Sequence, residues 1–236
     1  MPLFLPPNDY PRLRIVHSFE ELLSTRFEHG VNALCWQRDL KGDFEEVLEA
    51  LGPGEGIRPL DEDSLGALTL SENGKSAVAL LLEDQRLLQA HGLNPNLDCI
   101  YNYTRDSQEE PVPTDVYSFH ADSAPVEADT FLCSYTAPSS QALRNEEAIR
   151  CVDVEGIRTR LLQEFGGSEG PAFEEFLQDR CYHLHYAAAP QARPFSFGTG
   201  NLWRIAVEYP GSPVPPCIHR APPTHPGQAP RLLLIS

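Results

Sequence analysis

Tyr117-Ser118-Phe119-His120-Ala121-Asp122 reads as the end of a β-strand over 115–121, with a histidine and a carboxylate two residues apart. A strand repeats every two residues, so His120 and Asp122 project from one face. Outward from this stretch, the chain from Asp98 onwards has a single texture. Short segments rich in Tyr, Phe, Val, Leu and Cys are separated by clusters of Pro, Gly and Ser, the pattern of strands in a barrel or sandwich. The predicted strands are 99–104, 115–121, 130–135, 181–187, 202–208, 217–219 and 231–235, split by a helical insert over 155–165 and 172–178. Pro210 to Pro230 reads as loops around one short strand.

The first 97 residues read differently. Ser18-Phe19-Glu20-Glu21 has the spacing of a capping box, in which the serine caps the N3 amide and the glutamate reaches back, with Gly30 available to end the helix. Asp43 and Glu46 repeat that logic for a helix running to Leu51, closed by Gly52. Leu80, Leu81, Leu87 and Leu88 form a helical stripe over 77–90, closed by Gly92. One strand is expected over 31–36. The whole, 1–236, is expected to be a single domain, a helix-rich N-terminal layer (1–97) on a β core (98–236) with an insert at about 155–178.

Composition narrows the function classes. With 41% apolar residues the chain can bury a core, and 34 acidic against 18 basic residues leave a formal charge of −16. That charge repels phosphate backbones and anionic membrane surfaces, which argues against nucleic-acid and membrane partners. No apolar run approaches the roughly 20 residues of a membrane span, and the Pro-interrupted N-terminus lacks a basic region. A cytoplasmic protein is expected. The six cysteines, Cys35, Cys99, Cys133, Cys151, Cys181 and Cys217, form no CxxC pair and are expected to be reduced thiols.

The chemistry gathers around His120 and Asp122. Far downstream, Cys217-Ile218-His219-Arg220-Ala221-Pro222 offers a second histidine on another short strand. Two imidazoles and one carboxylate make a facial triad for iron, with three coordination positions left for a co-substrate and dioxygen. Twelve residues after His219, Arg231 opens the apolar run Arg231-Leu232-Leu233-Leu234-Ile235. Its bidentate guanidinium would anchor the far carboxylate of 2-oxoglutarate, whose keto acid end chelates the metal. The alternative is an exposed arginine at the start of a terminal strand.

The order His120-x-Asp122, His219, Arg231 resembles the double-stranded β-helix oxygenases that use Fe(II) and 2-oxoglutarate. Asn32-Ala33-Leu34-Cys35-Trp36-Gln37-Arg38, Leu132-Cys133-Ser134-Tyr135 and Ile218-His219-Arg220-Ala221-Pro222 extend the resemblance to an uncharacterised bacterial family of such proteins. The resemblance implies a mainly β fold with helices, built on a jelly-roll or cupin-like core, and a dioxygenase that hydroxylates a C–H bond of a small molecule. Members of the superfamily often carry Ser or Thr two residues after the anchoring arginine. This chain has Leu233 there, so another hydroxyl must meet the co-substrate; Tyr101, Tyr103 and Tyr135 are the candidates.

Other residues compete for these roles. Strand alternation in Cys181-Tyr182-His183-Leu184-His185 would put Cys181, His183 and His185 on one face as a rival metal site, although no carboxylate lies nearby in sequence. His225 is a poorer third ligand than His219. In Asn201-Leu202-Trp203-Arg204-Ile205, Trp203 and Arg204 take opposite faces, so either Arg204 clamps a substrate carboxylate with Trp203 walling the pocket, or Trp203 is core and Arg204 surface. Gly198-Thr199-Gly200 lacks the Lys-Ser/Thr and helix of a phosphate loop and reads as a turn. Beyond the oxygenase, the same residues allow a cupin-like dioxygenase, isomerase or hydrolase without the co-substrate, or a sensing barrel without turnover.

Overall fold

A computed structural model of the chain describes residues 6–7, 9–106, 110–224 and 227–236. The chain enters through β1 (Leu13–Val16) and turns at Ser18 into α1 (Phe19–Ser24). Ser18 accepts the Glu21 amide as predicted, but the Glu21 carboxylate reaches one residue further, to the His17 amide at 2.8 Å. The helix stops well before Gly30, because the Arg204 guanidinium gathers the carbonyls of Leu22, Leu23 and Thr25 at its C-terminus. Gly30, at φ 83°, instead precedes β2 (Ala33–Trp36).

Asp43 caps α2 (Phe44–Leu51), which Gly52 closes at φ 72°. β3 (Ile57–Pro59) and α3 (Glu62–Gly66) lead to α4 (Glu72–Ala90), whose start precedes the leucine stripe by a polar turn capped by Ser71. The Glu46 carboxylate, expected to close the box of its own helix, accepts instead from the amide and hydroxyl of Ser71 and so couples α2 to α4. Gly74 makes room for it: a Cβ there would lie 2.5 Å from Glu46 Oε2.

From here strands predominate: β4 (Asn96–Ile100), β5 (Phe119–His120), β6 (Asp129–Ser134), β7 (Gln141–Leu143) and β8 (Ala148–Arg150). The insert α5 (Glu155–Phe165) and α6 (Pro171–Asp179) follows, as expected. Then come β9 (His185–Ala188), β10 (Phe195–Ser196), β11 (Leu202–Ala206), β12 (Ile218–Arg220) and β13 (Arg231–Ile235). Several expected strands are cut back, 99–104 ending at Ile100 and 202–208 at Ala206. Over 115–121 only Phe119 and His120 pair, because the Asp115 carboxylate draws the amides of Tyr117 and Ser118 into a turn. Cys181 takes a left-handed φ of 57° and Tyr182–Leu184 form a 3-10 turn, so Cys181 and His183 do not share a strand face with His185.

The strands form a larger sheet in the order β1-β2-β11-β6-β13-β4-β3 and a smaller one in the order β10-β7-β12-β5-β9-β8. The N-terminal segment is therefore more than a helical layer, since it supplies β1, β2 and β3. The expected boundary at 97 falls inside β4. One face of the larger sheet, with Leu34, Phe131, Cys133, Leu202, Leu232 and Leu234, packs against α1, α2 and α4 through Leu22, Val47 and Leu81. The other face, with Ala33, Cys35, Leu132, Trp203 and Ile205, meets Ala142, Phe195, Phe197 and Cys217 on the side of the smaller sheet. Helical residues outnumber strand residues, so the architecture is mixed α and β rather than mainly β.

Candidate metal centre

β12 and β5 are antiparallel neighbours, and their register sets His219 directly opposite His120. Paired residues point to the same side of a sheet, so the two imidazoles lie together with ring centroids 4.6 Å apart. Asp122 follows β5 and brings Oδ1 to 3.8 Å from His120 Nε2 and Oδ2 to 3.7 Å from His219 Nε2. The three ligand atoms lie within 4.8 Å of one another, close enough to hold one metal ion.

Local contacts orient the two rings and set the charge of His120 and Asp122. His120 Nδ1 lies 2.8 Å from the Ser118 carbonyl and His219 Nδ1 lies 3.5 Å from the Cys217 carbonyl. A ring nitrogen that donates to a carbonyl leaves the lone pair on Nε2, which is the atom each ring turns toward Asp122. Burial, reinforced by His219, pushes the His120 pKa down to about 4, so the ring is neutral at pH 7. Burial raises the Asp122 carboxyl, but His219 and the Thr130 hydroxyl outweigh it and hold the group below its ordinary range. Thr130 Oγ1 donates to Asp122 Oδ2 at 2.6 Å. Neutral nitrogen donors beside an anionic oxygen donor are what a divalent cation requires.

Arg231 begins β13 and alternates with Leu232 and Leu234 of the helix-side core, so it faces the space between the sheets. It is 2% exposed. Nη2 donates to the Tyr103 hydroxyl at 3.1 Å and Nη1 to the Pro138 carbonyl at 3.4 Å, while Nε has no partner among the described residues. Among the described residues no carboxylate forms an ion pair with it, and burial lowers its pKa. Tyr103 packs edge-on against Tyr117 at 5.7 Å, and the Tyr117 hydroxyl lies 3.0 Å from Thr224 Oγ1. This aromatic pair connects Arg231 to the segments leading into His120 and out of His219. A cleft of about 450 Å³ borders Tyr103, Asp115 and Val116 but none of the three ligand side chains.

No protein-family model, curated protein or solved structure matches this chain.

The remaining candidates divide by which face they take. Tyr135 is not in the site: its hydroxyl donates to Asp84 at 2.6 Å on the helix side of the larger sheet. Tyr101 is likewise occupied, donating to the Gly52 carbonyl. Arg204 is no clamp, since it pairs with Asp129 at 2.7 Å and caps α1. Trp203 is buried on the inner face and stacks on Phe197 at 4.3 Å, and Phe197 in turn lies parallel to His219 at 6.5 Å, so the pair backs a residue of the candidate site.

His185 pairs with His120 in register but turns Nδ1 to Ser118 Oγ at 3.1 Å and stays outside the ligand cluster. His225 lies outside the described residues. All six cysteines are free, and only Cys181 among them is exposed. Thr130, Tyr117 and Phe197 have no role at the site in the sequence-based reading. Thr130 shares the inward period of β6 with Leu132, which could have drawn attention to it, but nothing in sequence names Asp122 as its partner. No helix among the described residues is long and apolar enough to cross a membrane.

Proposed function

We propose that the protein is a non-haem iron oxygenase of the 2-oxoglutarate-dependent type that hydroxylates a C–H bond of a small molecule. His120, Asp122 and His219 would hold ferrous iron, and Arg231 with Tyr103 would receive the far carboxylate of the co-substrate. The observation that carries this reading is Arg231, a guanidinium buried to 2% exposure whose Nε lacks a partner among the described residues. A buried charge with no counter-ion is costly unless a ligand completes it, and a carboxylate matches the planar fork of a guanidinium. The donor set fits the metal equally well, with two imidazoles and one carboxylate converging, His120 held neutral and Asp122 held ionised.

The strand order supports a double-stranded β-helix. The chain crosses from β4 in the larger sheet to β5 in the smaller, returns to β6, and crosses again to β7; after the insert it passes from β10 to β11, β12 and β13 by the same alternation. Iron and the keto acid, when bound, would supply the electrons that activate dioxygen, and dioxygen is the oxidant for the C–H bond. The protein's own residues do the positioning. Carbonyls of Ser118 and Cys217 hold the two rings in one tautomer, Thr130 fixes Asp122, and Phe197 backed by Trp203 closes the wall behind His219. Free thiols suit a reducing, cytoplasmic setting in which ferrous iron persists.

The test is anaerobic titration of the Fe(II) protein with 2-oxoglutarate, followed by the metal-to-ligand charge-transfer band and, on adding oxygen, by succinate. We expect Arg231→Ala to keep iron but to lose roughly 100-fold in co-substrate affinity, about 3 kcal/mol for a carboxylate buried without its partner. Equal affinity in the two proteins, or no band in wild type, would replace this reading with a cupin-like metalloprotein or a non-catalytic sensor.

A further inference from the structure

Among the described residues, three buried side-chain polar atoms have no hydrogen-bond partner: Asn32 Oδ1, Ser134 Oγ and Arg231 Nε. Asn32 is otherwise tied through its amide nitrogen to Asn145, Pro215 and Pro216. The other two belong to neighbouring strands. Antiparallel pairing of β6 with β13 sets Ser134 opposite Leu233, two residues along from Arg231. Ser134 lies between Cys133 and Tyr135, both in the helix-side core, so its own side chain takes the opposite face, the one that Arg231 and Leu233 share. Ser134 is 3% exposed and Arg231 2%.

Diagonal neighbours on one face of a sheet have Cβ atoms within about 7 to 8 Å, a gap that one small polar group can fill while touching both side chains. Both orphans are donors. A serine hydroxyl that nothing inside the protein engages has no packing advantage over alanine, and burying it there is unfavourable unless something accepts from it. Its backbone is fixed from two directions, by the β13 ladder and by the Gly200 amide, which donates to the Ser134 carbonyl at 2.8 Å. The hydroxyl therefore cannot swing to another strand face to find an acceptor.

We propose that Ser134 donates its hydroxyl to the same distal carboxylate that Arg231 receives, supplying from the neighbouring strand the hydroxyl that Leu233 lacks. The inference rests on the 2-oxoglutarate reading above and assigns the second donor of that subsite. Tyr103 donates or accepts beside the guanidinium, whereas Ser134 meets the carboxylate from the β6 side.

The experiment is calorimetric titration of anaerobic Fe(II) protein with 2-oxoglutarate and, separately, with pyruvate, which keeps the chelating keto acid and lacks the distal carboxylate. Ser134→Ala is expected to weaken 2-oxoglutarate about tenfold and to leave pyruvate affinity, iron affinity and melting temperature unchanged. Adding Leu233→Ser to Ser134→Ala, which returns a hydroxyl to the facing position, is expected to recover affinity. Equal 2-oxoglutarate affinity in wild type and Ser134→Ala would overturn the assignment of Ser134 while leaving the proposed function standing. An equal loss for both keto acids would overturn it too, by showing a structural effect. Absence of 2-oxoglutarate binding in wild type would remove the assignment together with the reading on which it rests.

Discussion

Asp122 depends on one hydroxyl, that of Thr130. The bond leaves Asp122 Oδ1 unengaged on its His120 side and restrains the carboxylate plane, so loss of the hydroxyl frees a ligand that must otherwise arrive pre-oriented. Thr130→Val keeps the shape and removes the donor. We expect metal affinity to fall about 10-fold or more, with the metal-free protein melting almost as before; competition with a chelator of known affinity checks it. The ligand pair His120 and Asp122 was legible because strand periodicity alone aligns residues two apart. Tyr135 was misplaced for a related reason. β6 is buried on both faces and mixes Leu132 with the polar Thr130 and Ser134 on its inner one, so its sequence does not show that Tyr135 falls on the helix side with Cys133.

At the scale of elements, α4 is pinned to the larger sheet by a buried ion pair. Arg38, just beyond β2, meets Asp84 of α4 through two bonds of 2.6 and 2.8 Å, with both side chains under a tenth exposed, and Tyr135 donates to the same carboxylate. Removing one partner strands the other charge. Asp84→Ala should cost about 3 to 5 kcal/mol in urea unfolding, whereas Arg38→Met with Asp84→Leu should recover most of that loss. A double variant as unstable as the single one would show that the site needs polarity rather than neutralisation.

Helices were readable where a cap opens them, as Asp43 does for α2, or where an apolar stripe runs along them, as in α4. β7, β8 and β10 were not, because two or three residues are too few for a period to register, and their pairing is decided by strands distant in sequence. β3 and β1 fall in the same class, hidden in a region whose capping signals point to helix.

Across the whole molecule, the two sheets divide the labour: the smaller carries His120 and His219, and the larger carries Arg231 and Ser134. The sequence reading did not anticipate that division, since composition and spacing do not say which strands face each other. Enclosing imidazoles in this way has an acid cost. Burial pushes His185 down to about 4 from 6.5, despite Asp106 and Asp115, which act to raise it. His120 is depressed likewise. Between those pH values the unfolded chain binds protons that the native state refuses, so stability is full above about 6.5 and drains away as pH falls toward 4. The metal-free protein should therefore show a melting temperature that is level above pH 7 and declines below 6.5. His185→Gln should decline less steeply in calorimetric scans. An unchanged acid limb in that variant would move the effect to other groups.

The helical insert fills its apolar faces with its own cluster, in which Leu161, Phe173 and Leu177 meet Val112, Val152 and Tyr182, separately from the cores on either side of the larger sheet. Such a segment can drift. Over generations its length and surface can be rewritten by descent, each change compensated within its own cluster, while the strands that carry the ligands inherit their spacing intact. On the function proposed above, selection for a new substrate would find its raw material here.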